Sequence, residues 1–246
     1  MNYDELAELY DLQYRDYRED IPFYLRLADK YGGPILELGA GSARLSVELA
    51  RRGGEVVGLE PSSQMIAQGK ARLKQENLTH QVRYKQADMR SFRSDERFPL
   101  IIAPFNTLMH AYNLSDQDET LATVRHHLAE GGHFALDLYT PNFNELNVLR
   151  SEAIWQNLGA FQNQELFLLQ RHDPDRQLLT TDYYLDSTDS EGHLSRKRYQ
   201  LVQRYYHRFE LERMLYQAGF KNLSLYGSFA QERYEATSPY LIVVAS

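Results

Sequence analysis

The sequence predicts an α/β fold, a doubly wound, mostly parallel sheet of seven strands with an antiparallel β cap inserted into it. Three observations lead there. As far as residue 138, short apolar runs alternate with helical segments of ten or so residues, the pattern of parallel crossover units. Beyond Pro141 that alternation gives way to strand-like runs joined by turn clusters, the pattern of antiparallel hairpins. The chain then returns to one helix and two strands, so the hairpins read as an insertion.

Apolar residues at helical spacing, first Leu6, Leu9 and Tyr10, then Phe23, Leu25 and Leu27, give two helices between Asp4 and Tyr31. Pro22 suits the first turn of the second. Strands are expected from Ile35 to Leu38, Glu55 to Glu60, Val82 to Ala87, Leu100 to Pro104 and Gly132 to Leu138. The helices between them run from Ala43 to Arg52, Ser62 to Glu76 and Ser115 to Leu128. Ser62 and Ser115 read as N-caps, and Gly131 with Gly132 as a helix stop. In the cap, strands are expected from Leu166 to His172, Leu178 to Ser187 and Leu194 to Tyr206, with turns at Asp173-Pro174-Asp175 and Asp189-Ser190-Glu191-Gly192. A helix from Glu210 to Ala218 stops at Gly219, and strands near Leu223 to Tyr226 and Tyr240 to Ala245 close the series. The expected division is residues 1–144 plus 206–246 as a ligand-binding domain and 145–205 as the cap.

Composition narrows the function classes. The chain has 246 residues, 43% hydrophobic and 25% charged, enough for one domain with an elaboration. A formal charge of −7 argues against nucleic acid as a partner, because that binding rests on Lys and Arg neutralising phosphates. With no cysteine, disulfides, thiolate metal sites and a cysteine nucleophile are excluded. The start, MNYDELAELYDLQYRDYRED, lacks the basic and apolar regions of a secretory signal, and no apolar run approaches the ~20 residues that span a bilayer. The expectation is a cytoplasmic protein without a membrane partner. An exposed cap sheet is a candidate homodimer surface.

The stretch PILELGAGSARLSVEL places a glycine-rich turn between a strand and a helix, where such sheets bind nucleotides at the helix N-terminus. Counted from Gly39, the dinucleotide fingerprint ends on Arg44, a bulky residue where close packing is wanted. Glu37, two residues before the first glycine, would repel pyrophosphate and attract an ammonium or sulfonium group. Glu60, at the tip of the second strand, can accept hydrogen bonds from ribose hydroxyls. Asp88, at the end of the third, can accept from an exocyclic adenine amine. Three acids at three successive strand ends point to a cationic adenosyl ligand. Each also has a plainer role: Glu37 as a helix-dipole carboxylate, Glu60 as a turn and cap residue, Asp88 as a turn former.

In this order ILELGAGSARLS, VVGLEPSSQMI, QADMRSF, FPLIIAPFNTLMH and LAEGGHFALDLY resemble the successive motifs of class I S-adenosylmethionine-dependent methyltransferases, over about residues 1–145 and 205–246. Within that family the chain looks most like small-molecule N-methyltransferases of the sugar-nucleotide amine and glycine/sarcosine types. The resemblance implies a Rossmann-like sheet, S-adenosylmethionine as cofactor and a small-molecule methyl acceptor. It implies that Glu37, Gly39 and Gly41 line the methionine moiety, Glu60 holds the ribose, Pro61 and Met65 flank the adenine, and Asp88 with the backbone of Met89 reads its edge. Ala40 and Phe105 complete the expected cofactor set. Two departures stand out: Ala43 replaces the third glycine of the usual run, and Pro99 replaces an acid often found before the fourth strand.

Methyl transfer from a sulfonium asks the protein for positioning and exclusion of water. His110, in the loop leaving the fourth strand, is the expected proton acceptor on the acceptor side; its plainer role is a backbone-bonding loop histidine. Tyr14, a turn beyond Tyr10, is expected to close over the cofactor and take part in catalysis, the alternative being core packing. Arg18 is expected to pair with the cofactor carboxylate. The run Arg196-Lys197-Arg198 reads as a solvated sheet face, with Arg196 and Arg198 on one side and Lys197 on the other. His126-His127 is expected to favour the helix dipole, and no metal site is expected. Two other functions stay open: an adenine-dinucleotide oxidoreductase, disfavoured by Glu37 and Arg44, and a noncatalytic S-adenosylmethionine sensor.

Overall fold

The computed structural model describes residues 3–14, 16–140, 146–149, 154–161 and 164–246. The chain divides into two compact units, Asn2–Thr140 with Tyr206–Ser246, and Pro141–Tyr205. The first carries helices α1 (Tyr3–Tyr14), α2 (Ile21–Tyr31), α3 (Arg44–Arg51), α4 (Ser63–Gln75) and α5 (Leu114–His127), interleaved with strands β1 (Ile35–Leu38), β2 (Val56–Glu60), β3 (Val82–Gln86), β4 (Phe98–Ala103) and β5 (Leu128–Tyr139). The second carries β6 (Ile154–Phe161), β7 (Gln164–Asp173), β8 (Leu178–Thr188) and β9 (Leu194–Arg204). The first unit is then completed by α6 (Arg208–Gln217), β10 (Leu223–Tyr226) and β11 (Tyr240–Ala245).

The seven-stranded sheet runs in the order β10-β11-β5-β4-β1-β2-β3. Its neighbours are parallel except around β11, which is antiparallel to both β10 and β5. The expected doubly wound sheet is therefore present. β1 and β2 are buried along their whole lengths, which is why they read as unbroken apolar runs covered on both faces. Ile35, Leu100, Ile102 and Ile242 from the sheet pack with Phe23, Tyr24 and Leu27 of α2 and with Leu45 and Leu49 of α3. Strand order reverses between β1 and β4, and ligands of such sheets bind at the carboxyl ends beside that reversal.

Several expectations are corrected. Asn113, not Ser115, caps α5, its side chain accepting from the Asp116 N–H; Ser115 lies inside the helix. Gly131 and Gly132 do not stop that helix but lie within β5, Gly131 with φ +70°. The β4–β5 register shifts between Phe98 and Leu100, so Pro99, which has no N–H to give, falls at the irregularity. His127 is not a dipole partner: it is buried, its Nε2 accepts from the Ser94 N–H at 3.0 Å, and Nδ1 faces the Thr123 carbonyl at 2.8 Å. Burial lowers its pKa and keeps it neutral.

The second unit is an antiparallel sheet in the order β6-β7-β8-β9. β6 is the strand missing from the sequence reading, because a register shift between Asn157 and Gly159 interrupts its alternation. Both expected turns form around an aspartate: Asp173 accepts from the N–H groups of Asp175 and Arg176, and Asp189 from those of Glu191 and His193. The two arginines of the basic run pair with acids of β8. Arg196 forks onto Asp186, while Arg198 and Arg171 share Asp182.

Candidate functional site

After β1 the backbone turns through left-handed conformations at Gly39 (φ +67°), Gly41 (φ +53°) and Ala43 (φ +65°). Gly39 is needed for more than its φ. A Cβ there would lie 2.7 Å from the hydroxyl oxygen of Thr107, in the loop after β4, so glycine lets the two strand-end loops meet. Ala43 keeps the third left-handed position, and its methyl joins the buried apolar cluster. The loss of the third glycine is absorbed by core packing.

Glu60 braces this turn from the tip of β2. One carboxylate oxygen accepts from the Gly41 N–H and the other from the Ser62 N–H, both at 2.9 Å. A carboxylate has about four lone-pair sites, so each oxygen keeps one for a further donor. Burial pushes the Glu60 carboxyl above its ordinary pKa. Ala40 is buried beside it, Pro61 is exposed, and Ser62 caps α4 by accepting from the Met65 N–H at 3.1 Å. Met65 is buried, its sulfur 3.7 Å from where a side chain on Gly41 would begin.

Glu37, in β1, is 2% exposed, and its partner is the Ser46 hydroxyl. Burial pushes its carboxyl up to about 8, against the opposing pull of Ser46 and Arg44. Arg44 gives its fork to Asp20 instead, at 2.7 and 2.5 Å, in a fully buried pair. That pair explains an arginine in the glycine run.

Asp88 and Met89 follow β3, both half-buried. The Asp88 carboxylate already accepts the Arg90 N–H (2.9 Å), Nε (2.8 Å) and Nη2 (2.6 Å), and Arg90 holds it below the usual carboxylate range. It therefore plays the turn role as well as standing at the expected edge.

The loop after β4 is built on two consecutive left-handed residues, Phe105 (φ +55°) and Asn106 (φ +64°). Asp137 of β5 fixes it: its carboxylate accepts from the Phe105 N–H at 2.9 Å and from the Tyr24 hydroxyl at 2.5 Å, and its carbonyl accepts from the Asn106 N–H. Burial pushes the Asp137 carboxyl up to about 7. Tyr206 donates into the same loop, towards the Leu108 and Ala111 carbonyls. His110 ends the 3-10 turn Thr107–His110, half-buried, its Nδ1 3.4 Å from the Tyr112 hydroxyl.

Tyr14 does reach this loop: its ring centroid is 4.8 Å from that of Phe105, with Tyr10 and Tyr17 at 5.9 and 5.2 Å. Arg18 lies exposed beyond the end of α1 at Tyr14, donating to the Tyr17 carbonyl. α1 is anchored at the strand-end loops by Asp4, which accepts from Ser62 Oγ and the Gln64 N–H, and by Asp11, which accepts from Ser42 Oγ. The structure thus gathers Glu37, Gly39, Ala40, Gly41, Glu60, Met65, Phe105 and Tyr14 around the β1 turn, with Asp88 at the β3 end.

Four contributors carry no local signal in the sequence. Asp137 reads as one more strand residue, Asp20 and Arg44 are 24 positions apart, and Tyr84 closes the turn from β3 by donating to the Gly41 carbonyl at 2.8 Å. Among the described residues, no three His, Asp or Glu side chains gather as a metal site.

Residues 35–132 match the family described as methyltransferase domain. An uncharacterized methyltransferase of Geobacillus thermodenitrificans (strain NG80-2) is 32% identical over 137 residues, 53% of this chain and 59% of that relative. A Streptomyces venezuelae dTDP-3-amino-3,4,6-trideoxy-alpha-D-glucopyranose N,N-dimethyltransferase is 26% identical over 133 residues, 51% of this chain and 54% of the relative. The chain therefore spans less than two thirds of the length of these two relatives. The CcbJ methyltransferase from Streptomyces caelestis superposes with a TM-score of 0.85 at 23% identity, over 100% of this chain and 97% of that one. With the strand order and the strand-end turn described above, these likenesses match residues 35–132 to the methyltransferase domain family and give the chain a Rossmann-like fold shared with solved methyltransferase structures.

Proposed function

We propose that the protein transfers a methyl group from S-adenosylmethionine to a nitrogen, in preference to an oxygen, of a small-molecule acceptor. The observation that supports this most is the buried Glu37 carboxyl beside a glycine turn that Glu60 braces. A buried acid whose own partner is a hydroxyl favours a cationic ligand over a pyrophosphate. The site residues fit the cofactor. Glu37, Gly39, Ala40 and Gly41 would hold its methionine end, Glu60 its ribose, Pro61, Met65, Asp88 and Met89 its adenine, with Tyr14 and Phe105 as the aromatic wall and Arg18 near its carboxylate. When bound, S-adenosylmethionine supplies a methyl already activated on sulfur, so the chain needs no covalent nucleophile.

What the chain supplies is position, dryness and a proton path. The Phe105-Asn106 turn, locked by Asp137, fixes one wall. The rings of Tyr10, Tyr14 and Tyr17 around Phe105 exclude water. His110 takes the proton of the acceptor amine, with Tyr112 within reach of its Nδ1. Residues 1–144 with 206–246 form the cofactor-binding domain and 145–205 a cap whose sheet is the surface for self-association. The acceptor is a metabolite and not a nucleic acid, and the compartment is the cytoplasm. No helix among the described residues is long and apolar enough to cross a membrane.

Calorimetry with S-adenosylhomocysteine and NAD tests the cofactor: binding of the first without the second is expected, and tight NAD binding alone would sink the reading. Mass spectrometry of a small-amine panel then identifies the acceptor; cofactor binding with no methylated product would point to a sensor. His110→Ala is expected to lower turnover with little change in cofactor affinity, and the reverse pattern would remove it from the acceptor side.

A further inference from the structure

We infer that Arg90 is a positioning residue that locks Asp88 as an acceptor for one exocyclic amine, and so makes this site discriminate a 6-amino purine from a 6-oxo purine. The inference rests on the proposed adenosyl ligand.

Three points fix the guanidinium. Its Nε and Nη2 fork onto the two oxygens of Asp88 at 2.8 and 2.6 Å, and its Nη1 donates to Asp116 Oδ1 at 2.8 Å. A planar fork bound at both prongs sets the plane of the carboxylate, which a lysine ammonium cannot do. Asp116 is itself held. Its other oxygen accepts from the Tyr112 N–H at 3.2 Å and the Asn113 amide at 3.0 Å, and Asn113 caps α5 through the Asp116 N–H. The Arg90 carbonyl accepts from Thr123 Oγ1 of α5 at 2.8 Å, so both the backbone and the head of Arg90 are tied to that helix.

The chemistry follows from the acceptor count. With Arg90 holding it below the usual range, Asp88 is ionised at neutral pH and can only accept. The fork and the Arg90 N–H use both sites of Oδ1 and one of Oδ2, and the remaining Oδ2 lone pair is held in a fixed direction. An amine in that direction gains a hydrogen bond, and a carbonyl oxygen meets a carboxylate oxygen. Without Arg90 the carboxylate can rotate away from a carbonyl, so rejection weakens more than binding of the amine does.

The test measures affinities of S-adenosylhomocysteine and of its deaminated analogue S-inosylhomocysteine by calorimetry at neutral pH, for the wild type, Arg90→Met, Arg90→Lys and Asp116→Asn. The wild type is expected to prefer the amine by about tenfold or more, the scale of one buried hydrogen bond replaced by a repulsion. Arg90→Met is expected to cut that ratio to a third or less, with Arg90→Lys and Asp116→Asn between the two. An unchanged ratio in Arg90→Met overturns the inference, as does a wild type that binds both ligands equally. If Arg90→Met does not fold, the ratios in Arg90→Lys and Asp116→Asn decide, and wild-type ratios in both overturn it. A wild type that binds neither ligand overturns the adenosyl reading itself, which is a different result from an unchanged ratio.

Discussion

The acids of the strand-end site and those of the cap sheet are solved in opposite ways. Glu37 and Asp137 are buried against hydroxyls and backbone N–H groups, and burial raises both, to about 8 and about 7. Asp186 carries its own guanidinium, whose bonds hold it below the ordinary range. Burial would push Asp182 up, but bonds from Gln200 and Arg198 outweigh it and hold that acid low as well. The cap acids have their cations bonded to them within the chain, whereas Glu37 is bonded to the neutral Ser46 hydroxyl and feels Arg44 only from that residue's pair with Asp20. Asp88 belongs with the cap acids despite its place beside the site, and this suits the role expected of it. A neutral amine needs a fixed acceptor, whereas a sulfonium or ammonium needs an uncompensated charge.

The comparison can be broken first at Arg44. Arg44→Met strands Asp20 as a buried charge and is expected to cost about 3–5 kcal/mol in urea unfolding, whereas Arg196→Met, which removes a half-exposed guanidinium from Asp186, should cost no more than about 1 kcal/mol. Equal effects would show that burial is not what separates the two regions.

Next comes pH. The Glu37 carboxyl is raised from its ordinary 4.5 to about 8, so its contribution to stability is complete below 4.5 and is lost as pH rises through 8, with a slope of up to about 1.4 kcal/mol per unit. Affinity for a cationic ligand should move the other way, rising as Glu37 ionises. Glu37→Gln is expected to flatten both profiles, measured by chemical denaturation and calorimetry across pH 5–9. A wild type whose ligand affinity falls as pH rises would contradict the role given to Glu37.

Glu60→Ala and Asp88→Ala sharpen the comparison within the site: each is expected to weaken S-adenosylhomocysteine binding by about 1 kcal/mol or more, the scale of a charge-assisted hydrogen bond. The smallest effect belongs to Ala43→Gly, which relieves a left-handed alanine but removes a buried methyl. Unfolding free energy should change by less than about 1 kcal/mol.

Much of this was legible in the sequence because it is local. Crossover units announce themselves by alternation, and Glu37, Glu60 and Asp88 by standing where strands end. Where the sequence misled, a distant partner or a neighbouring residue took the role. Ser115 is a good N-cap residue, but Asn113 stood nearer the helix start and satisfied the Asp116 N–H. Gly131-Gly132 resembles a helix stop, but the shift opposite Pro99 claimed it for the sheet. Arg44 looked like a spoiled glycine position because its partner Asp20 lies on another element, and the histidine pair looked cationic because nothing in HH reveals the Ser94 N–H.

The placement of β11 has a consequence for how the molecule is made. Phe134 and Leu136 of β5 pair on one side with β4, but the other edge of that strand, Phe134 to Tyr139, waits for Tyr240–Ala245. About a hundred residues separate the two strands, roughly ten seconds of ribosomal synthesis at ~10 residues per second. During that interval the nascent chain exposes an apolar edge that could pair with another copy. The cap hairpins, whose partners are all sequence neighbours, can form while that edge is still open. Crowding on polysomes and the supply of chaperones, more than the finished protein's stability, should then set how much folded protein a cell obtains.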